Sequence, residues 1–90
     1  MNKHFSIRIS GKVQGVFFRA LTKEKADELD VKGFVRNEPD GSVYIEAEAD
    51  ERTLRQFMDW CRQGPPRASV ENVDAEPGEV NRFTTFEVRR

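Results

Sequence analysis

Two short stretches of this chain bring together residues with chemical capacity. In Gly11-Lys12-Val13-Gln14-Gly15-Val16-Phe17-Phe18-Arg19, two glycines precede an arginine where one periodic segment gives way to another. Glycines let a loop curl so that successive amides point inward, and the first N–H groups of a helix have no intrahelical partner. A strand-to-helix handover of this kind therefore makes a concave anion site, supported by the helix dipole. Arg19 falls in the first helical turn, where its guanidinium can offer planar, bidentate donation to phosphate or carboxylate. A plain turn carrying a solvated arginine has the same outline, so the glycines alone do not decide the matter.

The second stretch is Asn37-Glu38-Pro39-Asp40-Gly41. Pro39 fixes φ and Gly41 accepts a positive φ, which predicts a tight hairpin loop. Asp40 and Gly41 are read as turn chemistry. On the residues alone, Asn37 either opens an Asx turn or presents an uncharged amide. Side chains alternate along a strand, so Arg36 and Asn37 face opposite ways.

The elements that must hold these stretches follow from periodicity. Phe5, Ile7 and Ile9 alternate with Ser6, Arg8 and Ser10 over residues 4–10, the pattern of a half-buried strand. Phe18, Leu21, Thr22, Ala26 and Leu29 then recur at helical spacing, ending near Asp30, although Gln14 and Gly15 cap the start weakly. Phe34 and Val35 lead into the hairpin. Beyond it, Val43, Ile45, Ala47 and Ala49 alternate with Tyr44, Glu46 and Glu48, whose polar face is expected to meet solvent.

Asp50 caps a second helix in which Leu54, Phe57, Met58 and Cys61 share a face, and Gly64-Pro65-Pro66 stops it. A fourth strand runs from about Ser69 to Glu76, with Val70 and Val73 out of phase and a bulge expected near Asn72. A short last strand carries Phe86 and Val88. The order β-α-β-β-α-β plus that strand predicts an α+β, ferredoxin-like sandwich, two helices on one face of a mostly antiparallel sheet. Residues 1–90 are read as one domain, since a chain of this length buries only about 60 to 65% of its unfolded surface.

Composition excludes several classes of function. Fifteen Lys and Arg against sixteen Asp and Glu give a charge of −1, without the basic footprint of a general nucleic-acid binder. One cysteine, Cys61, cannot form an internal disulfide, and with one histidine, His4, it falls short of a transition-metal ligand set. This count neither excludes nor suggests carboxylate-bound magnesium. Met1 to Phe5 lacks the apolar run of a signal peptide or anchor, which points to the cytoplasm and away from membranes. With no coiled-coil heptads, a monomer is expected.

The first stretch resembles the G-x-V-Q-G-V-x-F-R signature of the acylphosphatases, with every fixed position filled. The second family motif, G-[FWY]-V-x-N-x-x-D-G-x-V, is met by Gly33, Phe34, Val35, Asn37, Asp40, Gly41 and Val43. The resemblance extends through Gly64-Pro65-Pro66 and the Val70 and Val73 strand, and so spans about the whole chain. Phe34 stands where many members have Trp, and Glu38, where hydroxyl or apolar residues are frequent, sets a carboxylate beside the site.

The resemblance implies that Arg19 binds phosphate, that backbone N–H groups of Gln14, Gly15, Val16, Phe17 and Phe18 wrap it, and that Asn37 holds the attacking water. It implies an acyl phosphate substrate, inorganic phosphate as product, and neither metal nor cofactor. A carboxylate is a good leaving group, which fits the lack of a catalytic histidine or paired acids. The alternatives are a non-catalytic phosphate or anion-binding module on the same nest and a structural domain using its sheet. His4 and Lys12 are read as surface residues, Phe17 as loop edge, Phe18 as core, Trp60 as partly buried packing and Cys61 as an inert buried thiol.

Overall fold

The computed structural model describes residues 1–90. Its elements are β1 (Lys3–Lys12), α1 (Phe18–Leu29), β2 (Lys32–Asn37), β3 (Val43–Ala49), α2 (Glu51–Gln63), β4 (Ser69–Gly78) and β5 (Phe86–Arg89). The five strands form one sheet in the order β4-β1-β3-β2-β5. All neighbours are antiparallel except β2 and β5, which run parallel. This is the expected ferredoxin-like arrangement with an added fifth strand at one edge.

The alternation in β1 and β3 turns Ile7, Ile9, Val43, Ile45 and Ala47 to one face, where they join Val35 of β2 in the core. Phe18 and Ala26 of α1, with Leu54, Phe57, Met58 and Cys61 of α2, complete that core from the helix side. Burial pushes the Cys61 thiol up to about 12, so it stays protonated and inert. Gly33, the second residue of β2, has φ 144, and a Cβ there would meet the Glu46 carbonyl oxygen at 1.8 Å. Glycine is required by that close approach to β3. The expected bulge lies where the β1–β4 register shifts between Ser10, opposite Asn72, and Gly11, opposite Val70, leaving Glu71 as the extra residue.

Two expectations about polar residues are corrected. His4 is buried at 4% exposure, and Glu48, assigned to the wet face of β3, is 1% exposed. The segment between β4 and β5 covers them. Glu48 accepts hydrogen bonds from the Asn81 amide and, at 3.1 Å, from the Phe83 amide. His4 Nδ1 lies 2.7 Å from Glu48 Oε2, and since a carboxylate only accepts, that ring nitrogen carries the proton. Phe83 stacks on the His4 ring at 6.2 Å and meets Phe34 edge-on at 5.9 Å. The period-two pattern marked the face correctly, but it could not reveal a distant segment folding back over one end of it.

Burial raises the Glu48 carboxyl, but the Asn81 amide, His4 and the Phe83 amide outweigh this and hold it below the usual value. A depressed folded-state value contributes stability above the unfolded value and loses it as pH falls through the folded one. Glu48→Gln is expected to cost about 1.5 to 3 kcal/mol at neutral pH, the worth of hydrogen bonding to a buried charged acceptor. Urea unfolding should also show a shallower loss of stability on acidification below about pH 4.3 in this variant. A wild-type stability and acid profile would contradict this role.

Candidate active site

The loop between β1 and α1 holds two residues in left-handed conformation, Gly15 at φ 73 and Phe17 at φ 63. An aromatic residue there costs roughly 1 to 2 kcal/mol relative to its right-handed form, so the loop is curled against local preference. Phe17 is the N-cap of α1 but makes no side-chain cap, and the first turn contains no acidic residue. The contrast with α2 is instructive, since Asp50 there accepts from the Thr53 amide at 2.9 Å and Glu51 opens the helix. In α1 the first backbone amide with a protein partner is Leu21, bonded to the Phe17 carbonyl at 3.1 Å. The N–H groups from Gly15 to Ala20 have no protein acceptor. This helix end presents a run of unpartnered donors, the kind of end that attracts anions.

A pocket of about 300 Å³ lies at this helix start, lined by Val13, Gly15, Phe17, Phe18, Arg19, Ala20, Asn37 and Val88. Arg19 and Asn37, eighteen positions apart in sequence, thus share one wall-to-wall space. Arg19 Nη1 donates to the Arg89 carbonyl at 3.0 Å, which fixes the guanidinium and leaves four of its five N–H groups unused. Asn37 ends β2 on the same face as core residue Val35, opposite to Arg36. Its side chain bonds nothing in the hairpin. The turn is held instead by Asp40, whose Oδ1 accepts from the Ser42 amide at 2.9 Å and the Ser42 hydroxyl at 2.6 Å. Those bonds keep the Asp40 carboxyl below its usual range.

The loop residues divide in their roles. Gly15, Phe17 and Phe18 line the pocket, while Val16 turns its side chain into the core. Gln14 reaches across to the hairpin, its Nε2 donating to the carbonyls of Glu38 and Ser42, each at 2.8 Å. That side chain ties the curled loop to the strand end bearing Asn37, a bridging role that the sequence did not signal. Val13, Ala20 and Val88 are further wall residues missed from sequence. Ala20 was within reach as the next open amide of the helix. Val88 was not, because it arrives through the parallel pairing of β5 with β2.

Glu38 does not confront an anion in this pocket. Its carboxylate lies 3.5 Å from Arg8 and 3.3 Å from Arg36, on the sheet face away from the helices. Arg36 stacks there over Tyr44 at 4.8 Å. Nowhere does the structure gather three or more His, Cys, Asp or Glu side chains in a group suited to a metal ion. No helix is long and apolar enough to cross a membrane.

Comparison with known proteins agrees with this arrangement. The acylphosphatase family profile matches residues 5–88. The acylphosphatase of Archaeoglobus fulgidus is 46% identical over 82 residues, which are 91% of this chain and 92% of that protein. The solved structure of an acylphosphatase from Coxiella burnetii superposes with a TM-score of 0.94 at 38% identity, covering 98% of this chain and 93% of that one. That of Bacillus subtilis acylphosphatase gives 0.95 at 30% identity with both chains fully covered. The curled β1–α1 loop, the open helix start and the two motifs that meet there are those of a chain that belongs to the acylphosphatase family.

Proposed function

We propose that this acylphosphatase hydrolyses carboxyl-phosphate anhydrides by direct attack of water, with the phosphoryl group held on Arg19 and on backbone amides of the loop from Gln14 to Phe18. The observation that carries this reading is the shared pocket of Arg19 and Asn37 beside a run of unpartnered helix amides.

In a loose phosphoryl-transfer transition state, negative charge spreads over the equatorial oxygens, so catalysis reduces to positioning and charge stabilisation. Arg19 and the amides supply the stabilisation. Asn37 orients the water without setting a second negative charge against the dianion. The water oxygen bonds to phosphorus, the bond from phosphorus to the bridging oxygen breaks, and the acyl group leaves as a carboxylate. The proton of the water passes to a phosphoryl oxygen, because no carboxylate, imidazole, thiol or phenol lines the pocket to receive it.

Two results are expected from benzoyl phosphate hydrolysis. Turnover persists with chelator present, and the kcat profile between about pH 5 and 9 shows no limb assignable to a protein side chain. Protein that binds phosphate without turning over the substrate would instead indicate a binding module. We further read the protein as a cytoplasmic monomer, in keeping with its charge and single buried thiol.

A further inference from the structure

Four large hydrophobic side chains are exposed on this protein: Met1, Phe17, Val80 and Val88. Two of them, Phe17 at 67% and Val88 at 42% exposure, line the pocket that also contains Arg19 and Asn37. They belong to elements remote in sequence, the loop before α1 and strand β5. The positive φ of Phe17 sends its ring outward at the helix start, while the neighbouring Phe18 takes the core position at 1% exposure. The Arg67 guanidinium stands 6.0 Å from the centroid of the Phe17 ring, a cation–π arrangement that restrains it.

The pocket therefore has two kinds of wall. Its polar side is Arg19, Asn37 and the loop amides, all accounted for by the phosphoryl group and the water. The remaining side is apolar, made by Val13, Phe17 and Val88. An acyl group carried by a phosphate seated on the polar side has that apolar wall as its neighbour. Apart from the Arg67 guanidinium behind the Phe17 ring, the side chains on that side carry no polar group, so recognition there works through buried area and stacking.

We propose that Phe17, backed by Val88, is the acyl-contacting surface of the active site, and that it makes the enzyme favour acyl phosphates with a flat, apolar acyl group, aryl groups above all. The inference rests on the phosphate-site reading given above. Phe17 acts on specificity through contact with the leaving group and has no part in the proton or charge chemistry.

The test compares benzoyl phosphate with acetyl phosphate in the wild type, Phe17→Ala and Phe17→Leu, reading the ratio of the two kcat/KM values. A disturbed loop would affect both substrates alike, and the inhibition constant of inorganic phosphate measures that common part. In Phe17→Ala the ratio is expected to fall about tenfold, the worth of one stacked ring pair, mainly through KM for benzoyl phosphate. Phe17→Leu, apolar but not flat, should fall between. An unchanged ratio in both variants, with an active wild type, overturns the acyl-contact inference alone. A wild type that hydrolyses neither substrate overturns the catalytic reading and this inference with it.

Discussion

Arg19→Ala is expected to reduce kcat/KM for benzoyl phosphate by at least roughly 100- to 1000-fold, the loss seen when one preorganised charge-stabilising donor is removed from an oxyanion site. The expectation follows from how Arg19 is held. Its hydrogen bond to the Arg89 carbonyl orients the guanidinium before any substrate arrives, so little reorganisation is needed as charge develops. Arg19→Lys separates charge from shape. An ammonium keeps the positive charge but cannot anchor on a carbonyl and offer two parallel donors to a phosphoryl group at once, and this variant is also expected to be severely impaired. Near-wild-type turnover by Arg19→Lys, measured under saturating substrate, would refute bidentate recognition.

Asn37→Ala carries the second large effect. Loss of a group that holds the nucleophile should lower kcat by about 100-fold or more, since misplacement of a reactant by about 1 Å is enough for that. Because Asn37 is not assigned to the phosphate, inorganic phosphate should still inhibit this variant with a constant within about threefold of the wild type. Asn37→Asp tests the charge argument. It preserves size and an acceptor, but a carboxylate facing a dianion should weaken phosphate inhibition as well as turnover. Wild-type kcat in Asn37→Ala would remove the water-holding role, and tight phosphate binding by Asn37→Asp would show that neutrality at this position is unimportant.

The distinction between Asn37 and its neighbours explains why the hairpin has its composition. Asp40 does the turn work through Ser42, which frees Asn37 from the Asx role that its type would otherwise suit. Glu38 is neutralised by Arg8 and Arg36 on the other face of the sheet. Gln14 then joins hairpin to loop through two carbonyls, so the parts that carry Arg19 and Asn37 are coupled by one side chain. A shift of the hairpin would move the loop with it.

Much of this protein was legible in its residues because the relevant physics is local. Period-two alternation located β1 and β3, the Asp50 cap and Gly64 stop bounded α2, and the glycine-rich loop before Arg19 announced an open helix end. The two motifs supplied the family. What the chain order could not express were pairings between distant segments. The parallel docking of β5 on β2 brings Val88 to the pocket and the Arg89 carbonyl to Arg19, although nothing in Phe86–Arg89 encodes a partner. The return of residues 81–83 over Glu48 and His4 buries groups whose type and alternation both spoke for water. Short-range backbone and turn preferences are written residue by residue, whereas these contacts exist only after the sheet has assembled and offered buried acceptors and an open edge to a segment far along the chain.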